Sequence, residues 1–258
     1  MKIDLLSEKS DAPRRLAVLG GCGGVGRCLV EEAIAQGVDV VVMDLESSLE
    51  RYPVPSGVSS FAVDATNPLS LRKAFSGIER NWGSMDGFVN LCGFVSETRP
   101  LSEFDYAEWQ TTIAGNLTAA FLAANLAIPL LSKGSGGSLV NTTSGLAANT
   151  RPGFGAYAAA KAGVNSLTKT LALEHAPTVR VNSVAPGAIR TAFLEGGTGR
   201  TNDFSKPLVD IDAMAAATPM QRVAEPKDVV DPIMFLLSDA SRYITGQILW
   251  INGGGYMP

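Results

Sequence analysis

Short, almost continuously apolar runs alternate along the chain with longer segments of helical spacing, and no other feature constrains the fold as tightly. The runs are Leu16–Gly20, Val38–Met43, Val58–Val63, Gly87–Leu91, Ser138–Thr142, Val179–Val184 and Gln247–Ile251. A strand that is apolar at nearly every position, such as Val-Asp-Val-Val-Val-Met, is buried on both faces, as in a parallel sheet covered by helices on each side. Between the runs, Arg27–Gln36 (apolar at Cys28, Leu29, Ala33 and Ile34) and Leu69–Arg80 carry helical periodicity. Ser102 with Asp105, followed by Ala107 to Leu131, reads as the capped start of one or two helices. The expectation is an α/β, doubly wound, single-domain protein over residues 1–258 with a parallel sheet of about seven strands. Residues 1–14 read as an N-terminal extension. The Gly-rich stretch 192–218 breaks the rhythm and reads as a lid over a ligand.

Composition removes several function classes. With 21 Lys+Arg against 25 Asp+Glu and no basic run, neither nucleic acid nor an anionic membrane is expected as a partner. The three cysteines show no CxxC spacing, which points to reduced thiols, a cytoplasmic setting, and neither a disulfide frame nor zinc. The first residues lack the apolar core of a signal peptide. The stretch Leu117–Leu131, broken by Asn125 and Pro129, reads as too short to span a bilayer. A single histidine and scattered carboxylates leave no metal set, so acid–base chemistry must use another residue type. His175, near the end of a predicted helix, is better read as a helix-end residue than as a base.

Gly20-Gly21-Cys22-Gly23-Gly24-Val25-Gly26 follows the first strand and opens the first helix. Glycines there let the backbone approach a dinucleotide pyrophosphate, and free N–H groups at the helix start bind its charge, as in the Rossmann fold. The second strand ends at Asp44, followed by Leu45, 18 residues beyond Gly26. A carboxylate at that position accepts from both ribose hydroxyls and repels a 2′-phosphate, which favours NAD over NADP. Cys22 within this loop reads as small-residue packing rather than as a redox site. Arg27 reads as either a phosphate contact or a solvated helix-start residue.

Of the five tyrosines only Tyr157 has a lysine four residues on, Lys161. On a helix that spacing sets an ammonium beside a phenol, which favours the phenolate and makes proton transfer accessible. Ser144, at the carboxyl end of the fifth run, offers a hydroxyl that can donate to a substrate oxygen.

In order and spacing these pieces resemble the short-chain dehydrogenase/reductase family, from about Leu16 to Gly254. The resemblance is carried by Gly20 to Gly26, Asp64, Asn90-Leu91-Cys92-Gly93, Asn116, Ser144, Tyr157 and Lys161. It continues through Val181-Asn182-Ser183-Val184-Ala185-Pro186-Gly187 and ends at Gly246-Gln247 and Asn252-Gly253-Gly254. It implies Tyr157 as general acid/base, Lys161 as its electrostatic partner and ribose ligand, Ser144 as the group orienting the carbonyl, and Asn116 as holder of a relay water. It also implies Asp64 and Ala65 against the adenine, Asn90, Cys92 and Gly93 on the adenosine side, and Pro186, Gly187, Ile189 and Thr191 at the nicotinamide. Leu19 and Leu91-Cys92 depart from the family pattern, and the expectation is that apolar packing between them replaces a polar tie.

The activity these residues imply is hydride transfer between NAD(H) and a secondary alcohol or ketone. The substrate would lie against Phe94, Ser144, Leu146, Phe154, Tyr157 and Gly187, and the mostly apolar walls favour a neutral compound. An NADPH-dependent 3-oxoacyl-[acyl-carrier-protein] reductase is the alternative enzyme reading. A non-catalytic NAD-binding sensor or scaffold would have no use for the Tyr–Lys spacing. The resemblance further implies a homotetramer joined through the helices at Asn116–Leu131 and Tyr157–Ala172.

Overall fold

Residues 14–96, 98–134, 136–194 and 210–257 are described by a computed structural model. Seven strands, β1 (Arg15–Leu19), β2 (Asp39–Asp44), β3 (Ser59–Ala62), β4 (Gly87–Asn90), β5 (Gly137–Thr142), β6 (Val179–Pro186) and β7 (Ile248–Ile251), form one sheet in the order β3-β2-β1-β4-β5-β6-β7. Every neighbouring pair is parallel. The chain winds outward from β1 to β3, then crosses to β4 on the other side of β1. That reversal opens a crevice above the carboxyl ends of β1 and β4, where ligands of open α/β sheets bind.

The sheet divides the core into two layers, and this explains the unbroken apolar runs. Ala17 and Leu19 of β1, with Val41 and Met43 of β2, face one layer; Leu16, Val18, Val40 and Val42 face the other. The first layer is covered by α3 (Pro68–Trp82), α5 (Ala119–Leu131) and α6 (Gly155–His175), the second by α1 (Gly24–Ala35) and α8 (Pro226–Leu237). The shorter helices are α2 (Glu46–Arg51), α4 (Tyr106–Ile113) and α7 (Ile211–Ala217).

Local chemistry sets the helix starts. Asn67 accepts from Leu69 N at 2.9 Å ahead of Pro68, and Asp105 accepts from Glu108 N at 2.7 Å. Ser102 lies instead in a 3₁₀ turn, Leu101–Glu103, so Asp105 alone is the cap of α4. Between α4 and α5 the register shifts through a π-turn at Ala114–Thr118. The helical run Tyr106–Leu131 is thereby 26 residues long, and by length and composition it could cross a bilayer. The shorter span expected from Leu117–Leu131 is corrected in that respect. Half of its most apolar window is nevertheless buried inside the molecule, where α5 meets β4, β5 and α3.

Leu19 is fully buried in the layer against which Cys92 also packs, whereas Leu91 packs in the opposite layer. Leu19 thus lies on the Cys92 side of the sheet and not on the Leu91 side, and burying one leucine contributes about 2 kcal/mol. Of the expected extension and lid, residues 1–13 and 195–209 lie outside the described residues.

Candidate active site

The carboxyl ends of β1, β2, β4, β5 and β6 open into one cavity of about 700 Å³. Its first end is the turn from β1 into α1. Gly23 caps α1 without a side chain, so no side-chain oxygen covers the first turn, and Gly23 to Gly26 line the cavity. A Cβ on Gly26 would collide with the carbonyl oxygen of Gly20, and one on Gly24 would stand 2.6 Å from the Thr191 methyl. Backbone thus packs on backbone, leaving N–H groups at a helix start to meet an anion.

Asp44 closes this end. Its Oδ2 accepts from Cys22 N at 2.8 Å and its Oδ1 from Leu45 N at 2.8 Å, so the carboxylate ties the glycine loop to β2. Burial and the neighbouring Asp44 push the Cys22 thiol up to about 12, in keeping with a packing role rather than a redox one. Arg27 lies over the Tyr52 ring at 4.1 Å and donates to the Cys22 carbonyl at 3.0 Å, while Arg51 approaches the same ring at 5.5 Å. All three line the cavity, with Leu45, Asp64 and Ala65 alongside.

At the opposite end α6 presents Tyr157 and Lys161, both buried. The Lys161 ammonium donates to the Thr142 carbonyl at 3.0 Å and to the Cys92 carbonyl at 3.4 Å, which seats it between the ends of β4 and β5. Its Nζ is 5.6 Å from the centre of the Tyr157 ring. A Cβ on Gly93 would come within 2.6 Å of Asn116 Oδ1 and 2.9 Å of Lys161 Nζ, so this glycine makes room for the lysine. Ser144 accepts from Leu146 N at 3.2 Å and hydrogen-bonds with Tyr157.

The electrostatics correct one expectation. Lys161 does not bring the phenol below its ordinary range; burial pushes Tyr157 up to about 12, with the Ser144 hydrogen bond pulling the other way. Burial likewise pulls Lys161 down to about 8. In both cases desolvation of the charged form is the largest cause.

Of the residues expected at the site, Gly20, Cys22, Cys92, Gly93, Phe94, Leu146, Phe154, Pro186, Gly187, Ile189 and Thr191 also line the cavity. Asn90 and Asn116 are absent from its wall; both are buried beneath it. Asn90 Oδ1 accepts from Cys92 N at 3.0 Å, which shapes the turn after β4. Asn116 Nδ2 donates to Thr112 O at 3.0 Å and to Phe94 O at 2.9 Å, and Oδ1 accepts from Phe94 N at 3.3 Å. By taking the carbonyl four residues back, the side chain competes with the helix ladder where the π-turn occurs.

Ser47, Ser48, Arg51, Tyr52, Asn149, Arg151 and Phe193 line the cavity although sequence reasoning did not single them out. Phe193 packs toward Tyr157, ring centres 6.5 Å apart. Arg-Pro-Gly-Phe at 151–154 carries a turn signal that could have drawn attention to Arg151. Among the described residues, no group of three or more metal-ligating side chains occurs.

A family model described as "Enoyl-(Acyl carrier protein) reductase" matches residues 21–256. The 3-oxoacyl-[acyl-carrier-protein] reductase FabG of Staphylococcus epidermidis is 32% identical over 248 residues, 93% of this chain and 98% of its own. The cis-4-hydroxycyclohexanecarboxylate dehydrogenase of Sinomonas cyclohexanicum is 32% identical over 250 residues, covering 94% of this chain and 96% of its own. Among solved structures, the ligand-free aldohexose dehydrogenase of Thermoplasma acidophilum superposes with a TM-score of 0.84 at 28% identity, over 95% of this chain and 96% of its own.

Proposed function

The chain belongs to the short-chain dehydrogenase/reductase family of oxidoreductases, and from that premise we propose that it interconverts a secondary alcohol and a ketone with NAD(H). One observation carries the reading. Tyr157, Lys161 and Ser144 gather at one end of the cavity whose other end is the glycine loop and uncapped start of α1.

The residues present fit a nicotinamide dinucleotide. The loop from Gly20 to Gly26 would hold its pyrophosphate, Asp44 and Leu45 its adenosine ribose, and Asp64 with Ala65 its adenine. Cys92 and Gly93 would line the adenosine side, with Asn90 acting through the turn it shapes. Pro186, Gly187, Ile189 and Thr191 would meet the nicotinamide. When bound, this group supplies the hydride acceptor or donor.

Tyr157 Oη handles the proton. In oxidation the phenolate takes the proton of the alcohol O–H while the carbinol C–H bond breaks and its electron pair leaves with the hydrogen. In reduction the phenol returns a proton to the forming alkoxide. Ser144 donates to the same oxygen and stabilises its charge. Lys161 keeps a positive charge next to the phenol, and Asn116 orders the Phe94 segment and remains the proposed holder of a relay water. The Asp44 carboxylate supports NAD over NADP by repulsion of a 2′-phosphate.

A second reading, an NADPH-dependent 3-oxoacyl reductase, is favoured by Arg27 and Arg51 at the same end of the cavity and by the likeness to the staphylococcal enzyme. Initial rates with NADH and NADPH on a panel of ketones and one 3-oxoacyl thioester separate the two. The proposal expects NADH to be preferred, and a strong NADPH preference overturns it. We further propose a cytoplasmic enzyme acting on a small molecule. Its homotetramer would pair α5 and α6 between subunits, where Phe121 and Leu173 stand exposed.

A further inference from the structure

We propose that the substrate end of the cavity receives a compact oxyanion, a carboxylate or a phosphate carried away from the reacting carbon, and that Arg151 is the residue that meets it. The inference rests on the alcohol–ketone reading and narrows its substrate class, replacing the neutral compound that apolar walls alone suggest.

Charge is unevenly distributed along the cavity. Its lining carboxylates, Asp44 and Asp64, both belong to the adenosine end. Around Ser144 and Tyr157 the wall is Phe94, Leu146, Phe154 and Phe193, with no acidic side chain among the described lining residues. Besides Arg27 and Arg51, three cations line the cavity. Lys161 is committed to the Thr142 and Cys92 carbonyls, and Arg190 is paired with Glu225 at 3.1 Å. Arg151 lines the cavity and has no ion pair or side-chain hydrogen bond with any described residue.

Its backbone is firmly placed. Phe154 N donates to Arg151 O at 3.2 Å across Pro152 and Gly153, and Gly153 has φ 87°. Pro at the second position and a left-handed Gly at the third are the pattern of a type II turn. That turn runs directly into α6 at Gly155, two residues before Tyr157. The backbone of this exposed arginine is therefore joined to the same helix as the proton-transferring phenol, and its side chain is left to reach a ligand. A planar fork of N–H donors matches a carboxylate or phosphate with two parallel bonds, which a neutral substrate leaves unused.

Initial rates of the full chain with two matched pairs test this. One pair is 4-hydroxycyclohexanecarboxylate and its methyl ester; the other is acetoacetyl-4′-phosphopantetheine and the same thioester without its phosphate. The charged member of one pair is expected to lead in kcat/KM by roughly tenfold, chiefly through KM. Arg151→Gln should collapse that ratio, and Arg151→Lys should retain part of it. The pair that responds identifies whether the oxyanion belongs to a free acid or to a carrier arm. The inference is overturned if neither pair shows a charge preference, or if Arg151→Gln lowers both members of a pair alike. Turnover of neutral alcohols without any charge preference defeats this inference alone. Absence of turnover on every substrate defeats it together with the reading beneath it.

Discussion

Lys161 holds its Nζ 5.6 Å from the centre of the Tyr157 ring, while its hydrogen bonds go to the main-chain oxygens of Thr142 and Cys92. The lysine is thus a fixed charge beside the phenol, locked to two strands, rather than a donor to it. That placement governs how the pair responds to pH.

In the proposed mechanism alcohol oxidation requires the Tyr157 phenolate, and burial pushes the phenol up to about 12. The phenolate fraction therefore increases with pH across the neutral and mildly alkaline range. Log kcat/KM for oxidation should climb from about pH 6 to about pH 8, while ketone reduction, which uses the protonated phenol, should not climb with it. Paired pH–rate profiles check this. An oxidation profile that falls over the interval contradicts the assignment of Tyr157 as base.

The Lys161 charge also bears on stability. Its folded value, about 8, lies below the ordinary 10.5. Below pH 8 the ammonium is charged in both states, and its desolvation cost in the fold is fully present. As pH climbs from 8 to 10.5 the folded protein has released this proton while the unfolded chain still binds it, so the cost fades. Urea unfolding of wild type and Lys161→Met should show the variant losing relative stability over that window, on the order of 1 to 3 kcal/mol. A difference that does not change with pH would mean that Lys161 is not desolvated.

Asp44 binds Cys22 N and Leu45 N while facing the place where an adenosine ribose would lie. If Asp44 disfavours a 2′-phosphate as proposed, Asp44→Ala removes that repulsion while the charges of Arg27 and Arg51 remain at the same end of the cavity. The ratio of NADH to NADPH kcat/KM should shift toward NADPH by roughly ten- to a hundredfold, a change worth about 1.4 to 2.8 kcal/mol. An unchanged ratio places cofactor choice elsewhere.

Gly26 admits no side chain, because a Cβ there would strike the carbonyl of Gly20 and stand 2.7 Å from the Gly21 backbone. Gly26→Ala should displace the loop from α1 and weaken NADH binding by about a hundredfold, with circular dichroism retaining the helical signature. Fluorescence titration with NADH measures the loss, and wild-type affinity in the variant would show that the loop does not hold the cofactor.

All seven strands were legible in the sequence to within two residues, because a strand buried on both faces leaves an apolar run with few alternatives. The glycine loop was equally plain, since backbone contact such as Gly26 against Gly20 demands the residue type. The π-turn at Ala114–Thr118 was not, because it depends on Asn116 reaching Thr112 and Phe94 across tertiary contacts. For the same reason Asn90 and Asn116 read as cavity residues although they lie beneath its wall. Motif spacing reports which residues converge, but not which of them keep an open face. Proton affinity at Tyr157 was misjudged because the lysine is visible at i+4, whereas the depth of burial appears only once the fold closes over the pair. Arg151 went unnoticed because its relation to the cavity depends on the turn at Pro152-Gly153.

The proposed role of Tyr157 as the proton-transferring group of an NAD(H)-dependent alcohol–ketone oxidoreductase is tested by Tyr157→Phe. The change removes one hydroxyl and leaves the ring to pack as before. Initial rates of NAD reduction over a panel of secondary alcohols, with NADH affinity measured by fluorescence on the same samples, give both readouts. Turnover by wild type is expected, with a loss of roughly a thousandfold in the variant and NADH affinity within about threefold of wild type. Full activity in Tyr157→Phe would contradict that role.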